Sequence, residues 1–365
     1  MNLKMGIVGL PNVGKSSLFN AITNLNVDSS NYPFATIEPN IGVVEVPDNR
    51  LKFLTSIFQP KKTVPAYIKF VDIAGLIKGA SKGEGLGNTF LSNIRDSDAI
   101  CMVVRCFENQ KIIHVESSID PIRDVEIINL ELLLSDQEVI EKRISKIAKK
   151  AQLKKDKIIM SEYEILEKLH KWVLNNNLIK NFAFSKEELK IIDNYNFLTQ
   201  KKFIYVANVA ENNLNKNDVH FNNLQKYLNL KKEKLIKMCI DLEGEISTLT
   251  NEEKEIFLSE YNIEQSGLDN LIRESYKLLD LQTYFTAGKD EVKAWTYPNN
   301  FNAAQCAGVI HTDFEKGFIK ADIYAFSDLE EYKSEKALRE AGKIRSEGRS
   351  YLVQDGDVCF FKFNV

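Results

Sequence analysis

The sequence predicts an α/β fold interrupted by a helical insertion and followed by a small α+β domain. Three observations carry that reading. Strand-length apolar runs recur on both sides of a long segment with helical spacing. The first run leads directly into a glycine-rich turn and a helix. Beyond about residue 280 the pattern changes to short β-like runs.

Residues 3–10 (LKMGIVGL) read as a buried strand, and Leu18, Phe19 and Ile22 start a helix after the turn. Residues 41–46 and 67–73 read as two more strands. The nearly all-apolar run 99–104 reads as a central one. From 122 to 170 Gly and Pro almost vanish. Ile140, Ile144, Ile147 and Ala151, then Tyr163, Leu166, Leu169 and Val173, repeat at helical spacing. This predicts an antiparallel helical hairpin breaking near Lys155–Ile159, although no strong turn residue marks the break. Residues 175–196 read as short helix and loop. Strands return at 202–207 and 234–240, so one α/β domain with an insertion is more economical than two domains. The runs 281–286, 291–296 and 318–324, a helical stretch at 328–341, then 351–353 and 358–363, describe the C-terminal domain. The expected boundaries are 1–125 and 199–280 for the α/β domain, 126–198 for the insertion, and 281–365 for the last domain.

The chain has 365 residues, enough for two or three domains at about 150 residues each. Apolar residues make up 44% and charged residues 27%, a globular balance. Lys and Arg number 48 against 51 Asp and Glu, a net charge of -3, which excludes a globally basic nucleic-acid coat but not a local patch. The five cysteines and four histidines show no metal-ligand spacing. With no apolar run of signal or membrane-span length, a reducing cytoplasm is expected.

Gly9-x4-Gly14-Lys15-Ser16 matches the phosphate-loop pattern between a strand and a helix. Main-chain N–H groups there can cradle phosphate oxygens, those of Asn12, Val13, Gly14 and Ser17 included. Lys15 would neutralise the β- and γ-oxygens and their transition-state charge, and the Ser16 hydroxyl would ligate Mg2+. A P-loop NTPase domain is therefore expected. Asp72-Ile-Ala-Gly75, at the end of run 67–73, supplies a carboxylate for the magnesium and an N–H for the γ-phosphate. Thr36, in Tyr32-Pro-Phe-Ala-Thr36-Ile, is the candidate switch ligand to the metal. The glycine-rich 77–89 is expected to be a flexible second switch.

The segments GLPNVGKSSLFNA, PFATIEPNIGVVEVPD, FVDIAGLIKGASKGEGLGN and VVRCFEN resemble the YchF / Obg-like ATPase branch of the Obg (TRAFAC class) P-loop GTPase-like family. The late segments LLDLQTYFTAG, AWT, HTDFEKGFIKADI, DGDV and FNV resemble that branch's C-terminal TGS domain, which implies a ubiquitin-like β-grasp. The likeness spans essentially the whole chain. It implies a coiled-coil hairpin inserted in the GTPase-like domain and a Mg2+-dependent ATP-hydrolysing switch working with the ribosome.

GTP-binding relatives carry Asn-Lys-x-Asp where this chain has Asn208-Val209-Ala210-Glu211. The aspartate accepts hydrogens from N1 and N2 of guanine, and adenine offers no such pair. Asn208 keeps the contact near N7 and the phosphate loop, and Val209 can pack on the base in place of the lysine stem. Both changes favour ATP. Cys239 to Leu242, after run 234–240, are expected to complete the base contacts. Leu76 replaces the glutamine that orients water in many GTPases, which implies slow intrinsic hydrolysis. The resemblance offers His114 as an alternative water-positioning group, and a structural role fits its sequence context equally well. Asn12 is a candidate ligand for a monovalent cation such as K+.

Between 142 and 157 Lys142, Arg143, Lys146, Lys149, Lys150, Lys154, Lys155 and Lys157 face only Asp156, a local charge of +7. This is either a rail for RNA phosphates or a solvated helix face. Lys333, Lys336, Arg339, Lys343, Arg345 and Arg349 add basic charge to the last domain, and TGS domains accompany proteins working with ribosomes or tRNA. Tyr284, Phe285, Trp295, Phe314, Phe318 and Phe361 read as core rather than base-stacking platforms. ATP and ribosomal RNA are the expected partners of a cytoplasmic monomer, with neither DNA nor a membrane. Two alternatives stay open: a GTPase of the same fold, and a ribosome-binding module with the nucleotide as allosteric ligand.

Overall fold

The computed structural model describes residues 3–25, 40–73, 86–109, 111–112, 118–153, 156–216 and 218–364. In chain order its first elements are β1 (Lys4–Val8), α1 (Lys15–Asn24), β2 (Ile41–Glu45), α2 (Asn49–Phe58), β3 (Lys62–Val64), β4 (Tyr67–Asp72), α3 (Leu86–Arg95) and β5 (Ala99–Arg105). Then come α4 (Pro121–Gln152), α5 (Lys157–Leu174), α6 (Lys186–Ile192), β6 (Lys202–Asn208), α7 (Val219–Leu230), β7 (Lys234–Met238), α8 (Ile240–Ile246), α9 (Asn251–Glu260) and α10 (Gly267–Leu278). The last are β8 (Leu281–Ala287), β9 (Glu291–Pro298), α11 (Ala303–Ile310), α12 (Thr312–Lys316), β10 (Phe318–Ala325), α13 (Phe326–Tyr332), α14 (Glu335–Glu340), β11 (Arg345–Glu347) and β12 (Asp357–Phe363).

One compact unit takes in Lys4–Asn24 and the described residues from Phe70 to Gly267. Its strands run in the order β4-β1-β5-β6-β7. The pairs β1–β5, β5–β6 and β6–β7 are parallel. Every residue of β5 is buried, as fits a central strand paired along both edges. Successive strands leave β1 in opposite directions, so a topological switch point lies beyond the carboxyl end of β1, where α/β sheets place their ligands.

The helical hairpin belongs to this unit. Asp120 caps α4, its carboxylate accepting from the N–H groups of Ile122 and Arg123, and Asp156 caps α5 in the same way. Ile140, Ile147, Leu166, Leu169 and Val173 meet in one apolar cluster, as the helical spacing predicts. Helix α4 ends at Gln152 and α5 starts at Lys157, which lies inside the window expected for the break. Asp136 ties α4 to the lead-in of β6. Its carboxylate accepts from the N–H groups of Leu198 and Thr199 and from the Thr199 hydroxyl, each at 2.8 Å. Burial nevertheless pushes this carboxyl up to about 6, outweighing those bonds and the charge of Arg95.

The other unit takes in residues 40–69 and 268–364 among those described. Its sheet runs β11-β10-β12-β8-β9-β3, with β12–β8 and β3–β9 parallel. Tyr284, Tyr297, Cys306, Phe318, Ile323 and Phe361 form its core, and Trp295 and Phe314 pack against it. The aromatic residues are core, as expected.

Residues 40–69 and 268–280 group with the C-terminal segment. The reason is pairing: Lys62–Val64 adds to β9, and Arg50 donates to Asp355 at 2.7 Å. The hairpin and the parallel sheet fall in one unit, joined by the Asp136 bonds. The helix expected at 328–341 is two, because Lys333 takes a left-handed φ of 59° and Ser334 then caps α14. Residues 351–353 make only one bridge, Asn302↔Leu352. Helices α11 and α12 fill the space where one helix in all was expected, α11 opening with a capping box of Asn302 and Gln305.

Candidate nucleotide site

The turn after β1 is built from residues that tolerate close backbone approach. A Cβ at Gly9 would sit 2.8 Å from Val13 Cγ2 and 3.0 Å from the Val103 carbonyl oxygen. Gly14 has φ +97° and its Cβ would lie 2.5 Å from Asn208 Nδ2, so only glycine fits. Asn12 also takes positive φ, at 64°. Helix α1 then starts at Lys15, with Leu18 N–H donating to the Gly14 carbonyl at 2.9 Å. Ser16 and Ser17 are exposed on its first turn, where unpaired N–H groups and the helix dipole favour an anion.

Lys15 forms an ion pair with Asp72 at the end of β4. The two side chains are only 10% and 20% exposed, so each is the other's main electrostatic partner. A polyphosphate and its metal ion would each take over one member of this pair. Ser16 and Asp72 offer hard oxygen donors of the kind Mg2+ takes. Among the described residues no group of three or more His, Cys, Asp and Glu could hold a metal by itself. Among the described residues, a magnesium here would have the Asp72 carboxylate and the Ser16 hydroxyl beside the phosphates.

Asn208 joins this turn to the next strand. Its Nδ2 donates to the Val13 carbonyl at 3.0 Å, and its Oδ1 accepts from the Ile240 N–H at 3.1 Å. Its own carbonyl accepts from Cys106 N–H at 2.8 Å. Val13 and Asn208 are both buried. Ile240 was not singled out in the sequence, and only its main-chain N–H matters here.

Val209, expected to pack on a base, is 1% exposed and turned into the protein, its N–H donating to the Met238 carbonyl at 2.9 Å. Glu211 opens an exposed 3-10 turn, Glu211–Asn213, and its carboxylate pushes the Tyr261 phenol up. The strand expected to reach residue 240 stops at Met238, because Cys239 is the N-cap of α8 and the next residues are helical. Burial pushes the Cys239 thiol up.

Gly75, Thr36, Leu76 and His114 lie outside the described residues. So does 77–85, while 86–89 of the expected flexible segment are the first residues of α3. Arg105 was missed, although an arginine closing an all-apolar strand is a visible signal. It is 1% exposed and donates to the carbonyls of Phe107, Asn109 and Ile112 at 3.1–3.3 Å, shaping the chain beyond β5. Burial lowers its pKa, with Asp124 opposing.

The basic surfaces are less uniform than their sequence suggests. Arg143 makes a two-pronged pair with Glu162 at 2.8 Å, and Lys142 pairs with Glu138. Lys146, Lys149, Lys150 and Lys157 are exposed, and Lys154 and Lys155 lie outside the described residues. In the C-terminal segment Lys343 pairs with Asp328 at 3.0 Å and Arg345 lies 3.8 Å from Asp357. All five cysteines are buried and unpaired. Among the described residues no helix is long and apolar enough to cross a membrane.

Residues 4–160 match the MMR_HSR1 family model, described as 50S ribosome-binding GTPase. Residues 281–364 match the YchF-GTPase_C model, described as a protein of unknown function (DUF933). The chain is 51% identical over 367 residues to a Bacillus subtilis protein named ribosome-binding ATPase YchF, covering all of both chains. A Mycoplasma genitalium protein of the same name is 50% identical, again over the whole of both. Among solved structures, the YchF GTPase of Schizosaccharomyces pombe superposes with a TM-score of 0.90 at 41% identity, over 99% of this chain and 98% of that one.

Proposed function

Since the chain belongs to the YchF family of P-loop proteins, we propose that it is an ATP-binding and ATP-hydrolysing switch that acts on the ribosome. The observation that carries the choice of nucleotide is the end of β6. Asn208 is wired to the phosphate-loop turn, yet the lysine and aspartate that follow it in guanine-binding relatives are Val209 and Glu211. The N–H groups of residues 12–17 and the Lys15 ammonium would hold the phosphates, and Gly75 would meet the γ-phosphate. Ser16, Asp72 and Thr36 would hold Mg2+, which neutralises the β- and γ-oxygens when bound. Asn12 would face a K+ ion. Lys15 stabilises the charge of phosphoryl transfer. With Leu76 unable to orient water, His114 is the group assigned to that task and intrinsic turnover is slow.

The same reading takes the C-terminal segment as a β-grasp TGS domain and divides the chain at 125/126, 198/199 and 280/281. The exposed lysines of α4 and α5 are its contact to ribosomal RNA. The protein is placed in the cytoplasm as a monomer, without DNA or membrane partners.

A second reading, a GTPase of the same fold, has support in the name of the fission yeast relative and in the description of the N-terminal model. Calorimetric titration with Mg-ATP and Mg-GTP, with and without ribosomes at two salt concentrations, separates the two. Tighter ATP binding and salt-sensitive ribosome association are expected. Preference for GTP would replace the first reading by the second. Ribosome association with no turnover at all would leave the nucleotide as an allosteric ligand.

A further inference from the structure

A cavity of about 370 Å³ lies between α4, the stretch that follows α5, and α7, and none of its lining residues belongs to the nucleotide site. Its size suits a small metabolite. Asn129 of α4 lines it and is only 9% exposed, yet its Oδ1 has no hydrogen-bond partner. A buried acceptor left unpaired costs free energy and is satisfied only by an N–H or O–H. That oxygen therefore asks for a donor and repels a phosphate or carboxylate. Leu130 and Leu133 of α4 and Leu178 beyond α5 supply apolar walls, and Leu130 is 46% exposed.

Two opposite charges complete the lining. The Tyr227 hydroxyl donates to Glu126 Oε1 at 3.2 Å and accepts from Lys231 Nζ at 2.5 Å, so a carboxylate and an ammonium flank one hydroxyl. Both keep hydrogen-bonding capacity to spare, since an ammonium has three donors and a carboxylate two oxygens. Glu126, Asn129, Leu130 and Leu133 are spaced as one stripe of α4, so the charge, the orphaned oxygen and the apolar wall share a helix face.

We propose that this cavity binds a free α-amino acid with an apolar side chain. Its ammonium donates to Glu126 and to the orphaned Asn129 oxygen, and its carboxylate accepts from Lys231. Its side chain lies against Leu130, Leu133 and Leu178. Charges of both signs beside an apolar wall match a zwitterion. A nucleotide or a fatty acid brings only negative charge and would meet Glu126 and the Asn129 oxygen. The inference is independent of the nucleotide reading.

The test is calorimetry on the full chain with L-leucine, L-isoleucine and L-phenylalanine. It is repeated with N-acetyl-L-leucine, which lacks the ammonium, and L-leucinamide, which lacks the carboxylate. Mg-ATP titration and thermal melting are the controls for the fold. At least one of the three amino acids should bind at one site, and both analogues should bind at least about tenfold more weakly than leucine. Glu126→Gln and Lys231→Gln, both at exposed positions, should each weaken the amino acid about tenfold and leave ATP binding unchanged. Lys231→Gln should cost leucinamide nothing further, and Glu126→Gln should cost N-acetyl-leucine nothing further. Absence of binding by all three at millimolar concentration, binding indifferent to both variants, or analogues as tight as leucine overturns the assignment. Amino-acid binding in a chain that fails to bind ATP would overturn the nucleotide reading alone.

Discussion

The two ends of the candidate site are built differently. The phosphate end is held from within: Gly9 and Gly14 touch core atoms, Asn208 is buried between Val13 and Ile240, and Lys15 and Asp72 shield one another. The base end is held from the rim. Glu211 is exposed, and the segment after it is held by Lys237 donating to the Leu214 and Lys216 carbonyls. The chemistry common to all nucleoside triphosphates is therefore rooted in the core, where substitutions are costly. On the proposed reading, the chemistry that tells one purine from another sits where single substitutions are cheap. Selectivity can change without refolding the domain.

The strongest challenge to this contrast is Lys15→Ala. It should weaken ATP binding by at least about a hundredfold while the fold survives, measured by calorimetry and melting. Unaltered affinity would remove the phosphate assignment. Next is the pH response of the buried frame. Folded Asp136 keeps its proton up to about pH 6, whereas its ordinary value is 3.8. Between those values the folded state binds more protons than the unfolded one, so this group's contribution falls as pH rises. Wild type should gain on Asp136→Asn by on the order of 3 kcal/mol as pH drops from above 6 to below 4, read from denaturation curves at both ends. A pH-independent difference would refute the assignment.

Asn208→Ala leaves the Val13 carbonyl and the Ile240 N–H without their side-chain partner. It should cost about 2 kcal/mol of stability together with nucleotide affinity. A loss confined to affinity would mean that Asn208 serves the ligand and not the frame. The smallest effect belongs to the rim. Val209→Lys with Glu211→Asp should move the ATP-to-GTP affinity ratio towards GTP by about 1 kcal/mol, read by competition binding. Part of that effect is lost to the buried position of Val209, 1% exposed, where a lysine stem must find a way out.

The phosphate loop was legible because its chemistry is local. Strand, Gly9, Gly14, Lys15 and helix follow each other within twenty residues, and each is forced by main-chain geometry. The apolar period of α4 and α5 was legible for the same reason, since a helix registers its neighbours at three and four residues. The second residue of each long-range contact was not legible. Ile240 contributes only an N–H, which every residue but proline has. The early end of β7 was hidden because Cys239 and Ile240 are as apolar as a strand. Only the cap at Cys239 shows where the helix begins.

The amino-acid order by itself determined the elements of the parallel sheet, the phosphate-binding turn and the loss of the guanine-reading aspartate, all of which depend on neighbours in the chain. Tertiary structure alone decided that Lys15 meets Asp72 and that Asn208 bridges Val13 and Ile240. It also drew residues 40–69 into the unit that contains the C-terminal segment, by pairing Lys62–Val64 with β9. The physical reason is common to all of these. Local sequence sets backbone conformation, but a hydrogen bond or ion pair between residues tens to hundreds of positions apart exists only once packing has brought both partners to the same place.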